Sequence, residues 1–162
     1  MKRTLTALTL LLTLSLFACA HAVHYRRALP LDTLCTVALD ALGGEDYLID
    51  TAGVTEDYFP MPDCVTEHVI LYCRDVDCID EIGFFRTSER DAEALAELLR
   101  SSYLAPAYEK NRDFYDSYIP RETPKLRDAR VECFGDTVVY AILSPTDQAT
   151  LFSALRDALR EG

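Results

Sequence analysis

Arg130-Val131-Glu132-Cys133-Phe134-Gly135-Asp136-Thr137-Val138-Val139-Tyr140-Ala141-Ile142-Leu143 holds two β-rich runs separated by two residues of the Gly-x type. Such a pair between β-formers is a strong hairpin signal, because glycine supplies the positive φ that a two-residue turn needs. Ser144 and Pro145 end the second run. Thr146 is placed to cap a final helix from Asp147 to about Arg160, with Leu151, Phe152, Leu155 and Leu159 facing inward. Upstream lie two more extended runs, Glu67 to Cys73 and Ile79 to Arg86, rich in Val69, Ile70, Leu71, Ile82, Phe84 and Phe85. They read as neighbouring antiparallel strands.

A long helix joins the two strand pairs. Ser88-Glu89-Arg90-Asp91 has a serine with an acid three residues later, a capping-box-like start. Ala92, Leu95, Ala96, Leu98, Leu99, Tyr103 and Leu104 continue its apolar stripe. Pro106 is a site for a kink, after which helix resumes through Tyr108, Phe114 and Tyr115. Tyr118-Ile119-Pro120 ends the region and Pro124 marks a break. Near the start, Asp32 is positioned to cap a helix over Thr33 to Leu42, which Gly43-Gly44 stops. Glu45 to Asp63 reads as an acidic loop, with one helical turn at Thr55 to Tyr58. The expected fold is therefore α+β: a largely antiparallel four-stranded sheet with about three helices packed on one face, in two layers. Its interior is expected to be apolar packing without an assembled reactive centre.

Residues 1–22 read as an export signal rather than as part of the fold. Lys2 and Arg3 form a positive start, Thr4 to Phe17 carries no charge, and small residues follow. The uncharged stretch of 14 residues is short of the roughly 20 that span a bilayer as a helix. Two cleavage readings compete. Leu16-Phe17-Ala18-Cys19 is lipobox-like and would make Cys19 the lipidated first residue. Ala20-His21-Ala22 fits ordinary cleavage after Ala22. Residues 23–31 then form a tether and residues 32–162 a single α+β domain. Loss of Lys2 and Arg3 leaves 27 acids against 14 bases, a balance of −13. That charge excludes a basic nucleic-acid-binding face.

Six cysteines are present, and five remain after either cleavage. Five is odd, so at most two internal disulfides form. Cys73 and Cys78 bracket four residues between two extended runs, a spacing that suits a cross-strand disulfide. Buried or free thiols are the competing reading. Cys-x₄-Cys is not a zinc-knuckle spacing, and no metal site is assigned.

No catalytic constellation is assigned. His68 is the one histidine inside the folded domain, with Cys64 four residues before it and Cys73 five after. A Cys–His pair is the basis of an enzymatic alternative. No Gly-x-Ser-x-Gly turn, Walker loop or His-Glu-x-x-His helix occurs. Asp75, Asp77, Asp80 and Glu81 crowd one stretch, but it lacks the glycine and closing glutamate of a calcium loop. They read as a solvated loop, with a cation or ligand carrier as the weaker alternative. Tyr103, Tyr108, Tyr115 and Tyr118 crowd the long helix and form a candidate interaction surface, since tyrosine joins apolar area to a hydroxyl.

Asp80-Glu81-Ile82-Gly83-Phe84-Phe85, the long helix, Phe114-Tyr115-Asp116-Ser117-Tyr118-Ile119-Pro120 and the Phe134 to Ser144 hairpin follow one another in that order. Together they resemble the family of small Gram-positive surface lipoproteins catalogued as domain of unknown function 4358, over about residues 32–160. The resemblance implies a lipoprotein-type signal and a role at the cell envelope, beside polymer acylation by membrane-bound acyltransferases. It implies no catalytic residue and no cofactor. The cysteines around residues 64–78 depart from the family pattern. The expected function is an exported, lipid-anchored, non-enzymatic binding or accessory module with an envelope protein as partner. The alternative is a small extracytoplasmic thiol or hydrolytic enzyme using a cysteine near His68.

Overall fold

The computed structural model describes Tyr25 and residues 29–44, 47–50 and 59–160. The signal, Cys19, both cleavage positions and the turn expected at Thr55 to Tyr58 lie outside them. Five strands form one antiparallel sheet: β1 (Tyr47–Asp50), β2 (Glu67–Cys73), β3 (Glu81–Arg86), β4 (Arg130–Phe134) and β5 (Thr137–Ile142). Their spatial order is β1-β2-β3-β5-β4. The α+β class and the antiparallel sheet are as expected, and Gly135 makes the turn between β4 and β5 with φ at 63°. The additional strand is β1, a four-residue edge inside the acidic segment read as loop. Tyr47, Leu48 and Ile49 are β-formers, but four residues are too few to show a period.

The helices divide between both faces of the sheet, not one. α1 (Leu31–Leu42) and α5 (Pro145–Leu159) pack with Val69, Leu71, Ile82, Phe84, Val139 and Ala141. The opposite side chains of the same strands, Ile70, Phe85, Val138, Tyr140 and Ile142, face α2 (Ala92–Leu98) and the segment after it. All six residues of β5 are buried. A strand covered on both faces is apolar at both parities, and that is what the Val138 to Leu143 run encodes.

The long helix is one rod in three parts: α2, a π-helical stretch Leu99–Leu104, and α3 (Ala105–Tyr118). Pro106 has no N–H to give Ser102, and the widened turns before it absorb that loss without a break. A short α4 (Thr123–Arg127) follows, with Pro124 in its first turn, where a missing N–H is harmless. Two caps differ from expectation. Ser144, not Thr146, accepts the Asp147 N–H at 3.2 Å, and Pro145 opens α5. α1 starts after Pro30 with no side-chain cap, leaving Asp32 in its first turn. The box at Ser88 forms on the turn before α2. Tyr25, in the segment read as tether, bridges Arg160 and sets its ring edge-on to Phe134 at 5.4 Å. Among the described residues no helix is long and apolar enough to cross a membrane.

Candidate functional site: a cleft beneath the third helix

α3 carries no buried residue, which is unusual for a helix of 14 residues in a packed domain. Beneath it is a cavity of about 730 Å³. Ile70, Tyr72, Glu81 and Ile142 form its sheet side; Pro106, Ala107, Lys110, Asn111, Phe114 and Tyr115 form its roof. Ligand pockets typically measure about 300–1,000 Å³ and combine apolar walls with a few placed polar groups. This one has both.

The polar centre is Glu81, the first residue of β3. Its Oε1 accepts the Tyr103 hydroxyl at 2.6 Å and also the Tyr140 hydroxyl. Tyr140 is fully buried, and leaving its hydroxyl unbonded would cost about 1–3 kcal/mol. Tyr103 comes from the π-helical stretch, so the widened turn is what brings it over β3. Gly83 makes the arrangement sterically feasible. A Cβ there would sit 2.2 Å from Tyr140 Cε1, so only glycine lets the Tyr140 ring cross the sheet to Glu81. Oε2 of Glu81 accepts no hydrogen bond from any described residue. The expected all-apolar interior is thus corrected: a carboxyl and two phenols converge under a cavity.

Burial raises the Glu81 pKa above its ordinary value, and the two phenol hydrogen bonds only partly oppose this. Burial and the neighbouring carboxylate likewise raise both tyrosines, which stay protonated donors. A carboxyl with a raised folded pKa binds more protons folded than unfolded in the window between its two values. Its contribution to stability therefore falls as pH climbs from the ordinary glutamate value of 4.5 through the folded one. Glu81→Gln removes that slope. Urea unfolding from pH 4 to pH 8 will show the variant gaining on the wild type as pH rises.

A second polar cluster is built on Asp80, which lines the cavity. Lys125 Nζ donates to Asp80 at 2.6 Å and to Glu122 at 2.8 Å. Burial opposes the charge on Lys125, but hydrogen bonds to the two acids prevail and raise its pKa. Cys78, Asp80 and Glu122 offer ligand atoms within 4.8 Å of one another. The ammonium between the carboxylates already supplies their counter-charge. The four acids read as one solvated stretch separate here. Asp75 accepts the Asp77 N–H at 3.0 Å, Asp80 pairs with Lys125, and Glu81 turns inward.

No family model, curated protein or solved structure matches the chain. The site therefore rests on its own geometry.

Cys73 and Cys78, read either as a disulfide or as free thiols, stand as two thiols on the cavity wall. Burial first, then a hydrogen bond to Cys73, pushes the Cys78 thiol up to about 12, so it is no ready thiolate. His68 lies at the far end of β2 from Cys73 and stacks on Phe85 at 6.2 Å. Among the described residues no hydrogen bond joins it to Cys64, Cys73 or any other thiol. The tyrosine surface also divides. Tyr103 turns inward to Glu81, and Tyr108 and Tyr115 are half-buried. Tyr118 is 73% exposed and lies 4.8 Å, ring to ring, from Phe114, which is 57% exposed.

Glu81 and Tyr140 were read as loop acid and strand residue. The signal was the two-residue period Glu81-Gly83-Phe85, which puts an acid on a face that is otherwise buried. Lys125, Asp80 and Glu122 carried no signal, since they are up to 45 residues apart.

Proposed function

We propose that the protein is an exported envelope protein that binds a small, apolar-bodied ligand in the cleft under α3, without catalysing a reaction on it. One observation carries this: a 730 Å³ cavity roofed by a helix with no buried residue and floored by a half-buried carboxyl that two phenols bind. Catalysis lacks its parts among the described residues, since the inward cysteine is protonated and His68 stands apart from the thiols. The export signal, the lipid anchor at Cys19 and membership of the surface-lipoprotein family belong to this proposal, supported by the sequence. In an oxidising compartment exchange with an external disulfide, which is reduced to two thiols, would join Cys73 to Cys78, a reading supported by the hydrogen bond between them. The exposed Phe114–Tyr118 pair favours a second role, contact with an envelope protein partner.

The test of the cleft is a neutral fluorescent probe, N-phenyl-1-naphthylamine, titrated against the wild type and Ala107→Trp. Ala107 sits in the roof, so an indole there fills the cavity. The wild type will enhance the probe saturably. The variant will bind it at least about tenfold more weakly, with stability changed by less than about 1 kcal/mol. Equal binding by the two would place the probe elsewhere.

A further inference from the structure

Resting on the reading of the cleft as a ligand site, we propose that its occupant is an organic amine, a protonated nitrogen on an apolar body, with Glu81 as its anchoring carboxylate. Both phenols are spent on Oε1, and Oε2 lacks a donor among the described residues. A protonated amine supplies that donor and the opposite charge together.

The other charged groups on the cavity wall do not compete for this role. Asp80 is held by Lys125 at 2.6 Å, and Lys110 is exposed. A charge in open water is screened more than one partly shielded from it. The half-buried acid Glu81 therefore weighs most in which ligands the cavity accepts: burial alone favours its neutral form, and an ammonium beside Oε2 favours the carboxylate. Tyr103, Phe114 and Tyr115 also line the cavity, with the Phe114 and Tyr115 rings 5.7 Å apart. Aromatic faces attract ammonium groups and are indifferent to neutral ones. The formal charge of −11 adds a long-range preference for cations over anions.

The experiment displaces N-phenyl-1-naphthylamine from the wild type with three compounds of like ring and chain: 2-phenylethylamine, 2-phenylethanol and 3-phenylpropanoate. The amine is expected to displace the probe at a concentration at least about tenfold lower than either comparator. Glu81→Gln is expected to erase that advantage while leaving displacement by 2-phenylethanol unchanged. Equal potency of amine and alcohol, a preference for the propanoate, or an advantage that survives in Glu81→Gln would overturn the proposal. Should Glu81→Gln fail to fold, the ranking on the wild type alone decides. Probe binding without amine preference defeats only the amine assignment. Absence of saturable probe binding defeats the cleft reading and the amine assignment with it.

Discussion

Lys125→Met lowers the unfolding free energy by about 3 kcal/mol at pH 7. The methionine keeps the apolar stem but leaves Asp80 and Glu122 without their shared cation, at side-chain exposures of 16% and 7%. Removing one partner of an enclosed ion pair strands the other charge, and such losses run to about 3–5 kcal/mol. The lower end applies here because the Ile79 N–H still donates to Glu122 at 3.3 Å and Arg121 stands 3.7 Å away. For a chain of this size the melting temperature falls by roughly 6–12 °C. The sign with pH follows from the raised lysine pKa. Its contribution is complete below the ordinary lysine value of 10.5 and is lost as pH rises through the folded one. Adding Asp80→Asn and Glu122→Gln to Lys125→Met recovers most of the loss at pH 7. Urea unfolding of the three proteins at pH 7 checks this, and a triple variant no more stable than Lys125→Met contradicts it.

Gly83→Ala is the second large effect, again about 3 kcal/mol. The added Cβ lands 2.2 Å from Tyr140 Cε1, and Tyr140 cannot retreat freely, because Phe85 and Tyr103 hold its ring at 5.8 and 5.4 Å. Overpacking a buried site costs about 1–3 kcal/mol, and here it also breaks the hydrogen bond from Tyr140 to Glu81. A double-mutant cycle isolates the cause. In a Tyr140→Leu background the same glycine substitution will cost about 1 kcal/mol or less. Equal costs in both backgrounds would mean that the clash is not with Tyr140.

The legible part of this molecule was its local chemistry. The Gly135-Asp136 turn, the Gly43 stop, which accepts φ of 66°, and the β2 boundaries all follow from short-range preferences. The second layer of helices was missed: the helices were expected on one face, and although Val138 to Leu143 is apolar at both parities, a continuous run does not name the face each helix takes. Glu81 was hidden for a different reason. Its partners, Tyr103 and Tyr140, lie 22 and 59 residues away, and only the folded chain brings them to one oxygen. The same holds for Lys125, whose partner Asp80 is 45 residues away. Polar clusters built across elements leave no spacing for a one-dimensional reading to find. The tyrosines show the limit from the other side. Four residues of one type on one helix were read as one surface, yet the π-helical turns rotate Tyr103 inward and leave Tyr118 in solvent.

The most direct measurement is a map of amide chemical shifts on ¹⁵N-labelled protein titrated with N-phenyl-1-naphthylamine. The account predicts that the largest changes fall on the end of β2, the start of β3, the π-helical stretch and α3 as far as Tyr115. Changes confined to α1 and α5 on the opposite face, or to the exposed end of α3 around Tyr118, would contradict it.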